Sequence, residues 1–600
     1  MKSRIMMSVL ALLLLLIAAG SANSQQKLQL EPCRLPNWDE DVRCGKYEVF
    51  ENRQAKAGRK IALKIVVLPA LNEKKEPDPV FFFSGGPGGS ASETITHANK
   101  LYLANLRRAR DLVFVDQRGT GGSNQLACTL YPDKNDMAAY FSDVLPIERL
   151  RACVADLQKN ADLTLYSTPT AMDDLDDVRA AFGAEKINLY GGSYGTTAAL
   201  SYLRQYPQRV RTVTLLGVAP PDMKLPLPVI RGVQKSVEQV FAYCAADPGC
   251  HQAYPNPRED LEKIFQQLAQ GPVTFEALNP AIGQPQQITL TRPVFNELVR
   301  TMLYTPQTFR WLPLVLHEAA AGDFGIFASI GYQSFRVIED QIARGMHFSV
   351  VCGEDLPFIN DADVARETGA SFYGDQRLQA YRKVCAFWPR AQVPTSFATP
   401  VKASAPVLLI SGEADPVAPP WLAADAAKQL PNGRHIVIPN TGHYFNFPCV
   451  DKLVTDFVNR GDARGLDASC LAEVKAPPFV TGEMLAAMAG RNRNDEKKPE
   501  GDEQIWSGVL SAGGQNLKLI LHLFKAADGK LTANLDSPDQ GDVKGLPIDV
   551  VTLKDSALHF EMHLLSATFD GKLNSDGTEV SGEWRQNGLS LPLVFKRTAK

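Results

Sequence analysis

"KINLYGGSYGTTAALSYL", residues 186–203, decides the fold. A β-branched and aromatic run stops at two glycines, a serine follows, and Ala199, Leu200 and Leu203 then recur at the spacing of a buried helix face. Gly191-Gly192-Ser193-Tyr194-Gly195 is a G-x-S-x-G pattern, and between a strand and a helix it reads as a nucleophile elbow. A turn that sharp holds the serine at the carboxyl edge of a sheet with its Oγ exposed. The helix that opens there also directs N–H groups and positive potential at the site.

The sequence around it alternates in the way a parallel sheet requires. "IALKIVVLPA", "PVFFFSGG", "DLVFVDQRG" and "VRTVTLLGV" are short apolar runs separated by amphipathic segments such as "TAMDDLDDVRAAFG". The pattern resumes at "APVLLISGEADPV" and "RHIVIPNTGHY". The expected fold class is α/β, a mostly parallel sheet covered on both faces over residues 25–221 and 396–480, which the resemblance described below identifies as an α/β-hydrolase core. Residues 222–395, with apolar residues at three- and four-residue steps in "PVIRGVQKSVEQVFAYCAA" and "RPVFNELVRTMLY", read as a mainly helical lid inserted into it. Residues 481–503 are polar and aperiodic, a linker. Residues 504–600 alternate between Gly, Asp and Asn turns, a small antiparallel β-sandwich or barrel. Its histidines, His522, His559 and His563, belong to no metal-ligand pattern, and its ligand is left open.

A serine needs a base and an acid, and in this fold both follow it in the chain. Asp415, in the turn after "LLISGEA", is the expected acid, with Glu413 as the fallback. His443, in the Gly-His loop after "IVIPNT", is the expected base, one helix and one strand further on. Gly86 in "FFFSGGPGGSA" and Tyr194 are expected to supply the backbone N–H groups of an oxyanion hole. "SGGPGG" lacks the lysine of a phosphate-binding loop, and no H-E-x-x-H zinc motif occurs, so neither cofactor nor metal is expected.

With 600 residues, 45% apolar and 22% charged, the chain is long enough for two or three structural units of ordinary globular composition. A net charge of −3 and the lack of any basic block speak against nucleic-acid binding. Residues 1–24 carry Lys2 and Arg4, an apolar core and a small-residue cleavage region, which predicts a signal peptide, export to the periplasm or medium, and no stable membrane insertion afterwards. Ten cysteines suit an oxidising compartment. They fall into neighbouring couples, Cys33/Cys44, Cys128/Cys153, Cys244/Cys250, Cys352/Cys385 and Cys449/Cys470. Short loops bring such partners together most readily, so these pairs are the expected disulfides.

On "SGGPGGS", "VDQRGTGGSN", "GGSYGT", "SGEADPVAP" and "NTGHY", the chain resembles the proline iminopeptidase and tripeptidyl aminopeptidase family of α/β-hydrolase serine peptidases. The likeness extends to "CRLPNWDEDVRCGKYEVFENR" and "SVVCGEDLPF", and so to most of residues 30–475. Ser84 departs from it, because iminopeptidases usually carry histidine before the two glycines; the tripeptidyl-type members are looser there. The resemblance implies an aminopeptidase that hydrolyses short peptides near a free N-terminus through an acyl-enzyme, with the lid acids Glu354 and Asp355 as candidates to hold the α-ammonium. A solvated turn or helix cap is the other reading of those two acids. Asp116 and Arg118 are expected to brace the "DQRGTGG" turn. The same triad would serve a carboxylesterase, and an inactive relic acting as a binding protein would be marked by an incomplete triad.

Overall fold

The computed structural model describes residues 28–485 and 502–598, apart from 37, 98–99, 370, 445–446, 513–514, 527, 540–542, 563–564, 566 and 587–588. The expected signal peptide, most of the linker and His563 lie outside the described residues.

Three N-terminal strands, β1 (Glu31–Leu35), β2 (Trp38–Phe50) and β3 (Lys60–Leu68), are joined by β4 (Val80–Phe83), β5 (Leu112–Val115), β6 (Ile187–Gly192) and β7 (Val210–Leu216). Their sheet is completed by β10 (Val407–Gly412) and β11 (Gly433–Ile438), in the order β1-β2-β3-β5-β4-β6-β7-β10-β11. From β5 to β11 every pairing is parallel, whereas β1, β2 and β3 add an antiparallel margin. "VFFF", "LVFV" and "VLLISG" are almost wholly buried, as strands covered on both faces must be. Helices α1 (Thr168–Phe182) and α2 (Tyr194–Gln205) flank β6 in the chain.

Between β7 and β10 lies the insertion. It contains α3 (Leu227–Ala246), α4 (Pro257–Gln270), a hairpin of β8 (Val273–Asn279) and β9 (Gln284–Leu290), α5 (Arg292–Met302), α6 (Leu312–Ala320), α7 (Gly325–Asp340), α8 (Arg344–Glu354) and α9 (Gln376–Cys385). Core helix α10 (Pro448–Arg460) follows β11. The apolar interior of the insertion is continuous with one face of the large sheet, with Phe295, Phe309 and Phe327 of the insertion in the same buried cluster as Phe81 and Leu189. The five disulfides join the neighbouring cysteine couples, Cys33–Cys44, Cys128–Cys153, Cys244–Cys250, Cys352–Cys385 and Cys449–Cys470. No helix among the described residues is long and apolar enough to cross a membrane.

The C-terminal region is a separate antiparallel sheet of β12 (Asp502–Ala512), β13 (Gln515–Lys525), β14 (Leu531–Ser537), β15 (Val543–Ile548), β16 (Val550–Lys554), β17 (Ala557–Met562), β18 (Ala567–Leu573), β19 (Glu579–Gln586) and β20 (Leu589–Arg597). In the order β15-β14-β13-β12-β20-β19-β18-β17-β16, it curls until β14 approaches β16 and β15 approaches β17. Trp506, Leu521, Phe560, Phe569, Trp584 and Phe595 fill its interior.

Candidate active site

Strand β6 ends at Gly192 and α2 begins at Tyr194, so Ser193 alone makes the turn, at φ 54° and ψ −125°. A side-chain-bearing residue held there costs of order 1–3 kcal/mol, which the surrounding structure must offset. Its N–H donates to the Leu216 carbonyl at 2.8 Å, and its carbonyl accepts from Thr196 N–H at 2.8 Å. The loop after β4 runs directly against it. A Cβ added to Gly85 would lie 3.2 Å from Ser193 Cβ and 3.7 Å from its Oγ, so a side chain there would crowd the serine.

Asp415 follows β10, and its Oδ1 accepts the Val417 and Ala418 N–H groups at 2.8 Å each. Those two bonds aim Oδ2 at His443 Nδ1, 2.7 Å away, with both residues buried. The carboxylate fixes the proton on Nδ1 and leaves Nε2 to act as a base. Glu413 instead accepts from the Tyr243 hydroxyl at 2.5 Å and from Asn440 N–H at 3.2 Å, so of the two acids only Asp415 reaches the histidine. His435 pairs with Ser411 Oγ at 3.0 Å, away from this arrangement.

Ser193 and His443 face one cavity of about 340 Å³, together with Ser84, Gly85, Gly86 and Tyr304. Phe82, Phe114, Tyr190 and Leu216 of the core, with Ile338 and Ile342 of the insertion, make the rest of the wall mostly apolar. Tyr194 lies immediately after the serine at the start of α2, while its buried hydroxyl pairs with Thr168 Oγ1 at 2.6 Å.

The two lid acids lie off this wall. Glu354 Oε1 accepts Thr168 N–H, in the first turn of α1, at 2.5 Å, and its buried Oε2 has no partner. Asp355 Oδ1 accepts Leu225 N–H at 3.0 Å. Burial pushes the Glu354 carboxyl up to about 8, against the Thr168 hydrogen bonds and with help from the Asp355 charge. Burial likewise lifts Asp355 to about 7, with the Leu225 bond opposing. Asp116 accepts from Ser90 and Ser92 and from Gly122 N–H, and Arg118 donates to Asp174 and to the Glu51 and Leu165 carbonyls; both brace their turn.

Two residues at the site escape a reading of the sequence. Tyr304 lies just beyond an amphipathic helix and looks like one more core aromatic, yet its carbonyl accepts His443 N–H at 2.7 Å. Gly217, the end of an apolar strand, lies against the histidine itself. A Cβ there would sit 3.0 Å from His443 Cε1, and its φ is +60°. The serine-glycine and histidine-glycine spacings mark the triad; nothing comparable marks the groups packed behind it.

Residues 78–252 match the model of the alpha/beta hydrolase fold, and residues 370–470 match that of the TAP-like proteins. The chain has the α/β-hydrolase fold, with a TAP-like segment over residues 370–470. Serine protease Hip1 of Mycobacterium tuberculosis is 26% identical over 484 residues, covering 74% of this chain and 91% of that protein. Tripeptidyl aminopeptidase of Streptomyces lividans is 26% identical over 34% of this chain and 41% of its own length. Proline iminopeptidase of Neisseria gonorrhoeae is 29% identical over 24% and 35%.

Proposed function

We propose that this α/β-hydrolase is an exported serine peptidase, an aminopeptidase that cleaves short peptides near a free N-terminus. Ser193 attacks the scissile carbonyl. His443 Nε2 takes the serine proton and returns it to the leaving amine, while Asp415 holds the ring and stabilises its cation. The Gly86 and Tyr194 N–H groups receive the oxyanion, and each such donor is worth about 3–4 kcal/mol to the transition state. Water then releases the acyl group by the same route in reverse. The observation that carries the reading is the 2.7 Å bond from His443 to Asp415, with His443 and Ser193 on the wall of one cavity.

The named relatives are peptidases, which supports peptides over other acyl substrates. Five disulfides support an oxidising, extracytoplasmic location. Glu354 Oε2, buried and unpartnered, is the atom left to receive an α-ammonium, with Asp355 beside it in the chain. An ester-hydrolysing alternative draws on one observation: neither acid lines the cavity, whose wall is mostly apolar.

A free tripeptidyl anilide, its N-blocked form and a simple aryl ester separate the two. Faster cleavage of the free anilide, abolished by Glu354→Gln, is the expected result; preference for the ester would make the protein an esterase, and preference for the blocked peptide would end the free-N-terminus reading. Ser193→Ala should lower kcat by about 10⁶ on every substrate. Near-normal turnover by that variant would remove Ser193 from the mechanism.

A further inference from the structure

The loop that carries His443 and the loop that carries Gly86 both rest on the insertion, at separate places. Tyr304, two residues past the end of α5, accepts the His443 N–H at 2.7 Å and the Tyr444 N–H at 3.2 Å through its carbonyl. Its ring meets the imidazole edge-on, with centroids 5.2 Å apart. On the other side, the N–H of Ala343, the residue before α8, donates to the Gly88 carbonyl at 3.1 Å. His347 lies one turn further into α8 and is buried.

These two footholds are joined through the interior. Arg300 Nη1 donates to the Tyr304 hydroxyl at 2.6 Å, while its Nε and Nη2 donate to Glu297 Oε1 at 3.0 and 2.6 Å. Arg377 Nη1 donates to both oxygens of the same carboxylate, at 2.8 and 2.6 Å. Arg377 Nη2 reaches the Tyr381 hydroxyl at 2.9 Å, and that hydroxyl lies 2.9 Å from His347 Nε2. Burial, reinforced by the Arg344 and Arg377 charges, keeps the His347 ring neutral. Its Nε2 therefore accepts the Tyr381 proton, which leaves the remaining proton on Nδ1. Burial opposes the charge on Glu297, yet Arg300 and Arg377 hold its carboxyl well below the usual range. The result is one chain from α5 through α9 to α8, which meets the histidine loop through Tyr304 and the oxyanion loop through the Ala343–Gly88 backbone bond at the start of α8, while His347 Nδ1 itself has no hydrogen-bond partner.

We propose that this buried chain is a positioning device. Tyr304, Arg300, Glu297, Arg377, Tyr381 and His347 set the distance between the base and the oxyanion donors and make the two loops move as one with the lid. The physical need is plain. Both loops extend beyond the ends of strands β4 and β11, so the sheet alone does not fix their tips, and acyl transfer loses about 10²-fold in rate when a reacting group is misplaced by 1 Å. A buried polar chain of this kind is stiff, and removing one joint frees its neighbours. The proposal rests on the Ser193–His443–Asp415 reading above and adds to it residues of which only Tyr304 faces the cavity.

Tyr381→Phe removes one joint and keeps the ring that packs on Phe348. Tyr304→Phe removes another and keeps the carbonyl that binds His443. Each should lower kcat about tenfold with KM and Tm close to those of the parent, and the double variant should lose no more than the worse single one, because the chain is already open. Arg377→Lys, which keeps the charge but lacks the second arm, should repeat the loss. Tyr332→Phe in α7 removes a buried lid hydroxyl bonded to the Lys134 carbonyl, outside the chain, and should leave kcat unchanged. The rate at which a small fluorophosphonate labels Ser193 should fall in step with kcat. Unchanged kcat and labelling in the chain variants, multiplying losses in the double variant, or an equal loss in Tyr332→Phe would each overturn the proposal. Slower labelling in the chain variants of a protein that cleaves no peptide would sustain it while ending the peptidase reading.

Discussion

Gly217 holds its place for two reasons at once. Its φ of +60° suits glycine, and a methyl group there would press on His443 Cε1 and Nδ1, 3.0 and 3.2 Å away. Gly217→Ala should therefore lower kcat by about 10²-fold through displacement of the imidazole, with KM little changed. A variant with parental kcat would show that the ring tolerates the push. Glu354 carries a different consequence. Its carboxyl titrates at about 8 in the folded protein against 4.5 for the free group. The unfolded chain thus gives up its proton first. The stability this group contributes is complete below about pH 4.5 and fades as pH rises through about 8. Glu354→Gln removes that dependence, so the Tm of the variant relative to the parent should climb between about pH 5 and pH 8. Parallel Tm profiles would mean that Glu354 is ionised in the fold. Asp355, at about 7, acts in the same direction over a slightly lower range.

Among the elements, α8 and α9 carry His347, Arg377 and Tyr381 of the buried chain and are tied by Cys352–Cys385, which closes a span of 33 residues. Losing a loop of that length from the unfolded chain's constraints should cost about 3–4 kcal/mol. The Cys352→Ala/Cys385→Ala variant should show a lower Tm and earlier proteolysis within residues 344–385, while its remaining disulfides persist. A Tm equal to the parent's would make that bond superfluous. The elements also show where a sequence can be read. The β6–α2 elbow, the acid after β10 and the histidine after β11 are legible because each function needs a particular residue at a strand end, and strand ends announce themselves. Helix α5 is legible as a helix from its apolar spacing, but that spacing assigns charges to solvent. Glu297 and Arg300 are instead buried and paired with each other, and Glu297 also accepts from Arg377, which lies far along the chain. No local pattern carries a partnership of that kind. The β8–β9 hairpin is hidden for a simpler reason: each strand is only seven residues long and the pair lies between helices α4 and α5, whose apolar spacing dominates the segment.

At the scale of the whole molecule, the C-terminal sheet has an interior of its own, built around Phe560, Phe569 and Phe595, while the triad and the cavity lie entirely before residue 445. A core of that kind folds independently of its neighbour. A chain ending at residue 485 should consequently keep the kcat of the full protein on a small ester or anilide, and residues 502–600 should unfold in a separate calorimetric transition. Loss of kcat on truncation, with the core still folded, would give the sheet a part in the reaction.

The place of the insertion also sets when activity can arise. Strand β6 and Ser193 are complete early in the chain, but β10 reaches its partner β7 only across the entire insertion, with Val213 beside Val407. The histidine loop then settles on Tyr304, which belongs to that insertion. On the proposed reading, the base therefore reaches its place only when the insertion is in place. A chain that ends before the insertion would hold Ser193 without the histidine that is to activate it, and the complete protein would form its site already enclosed.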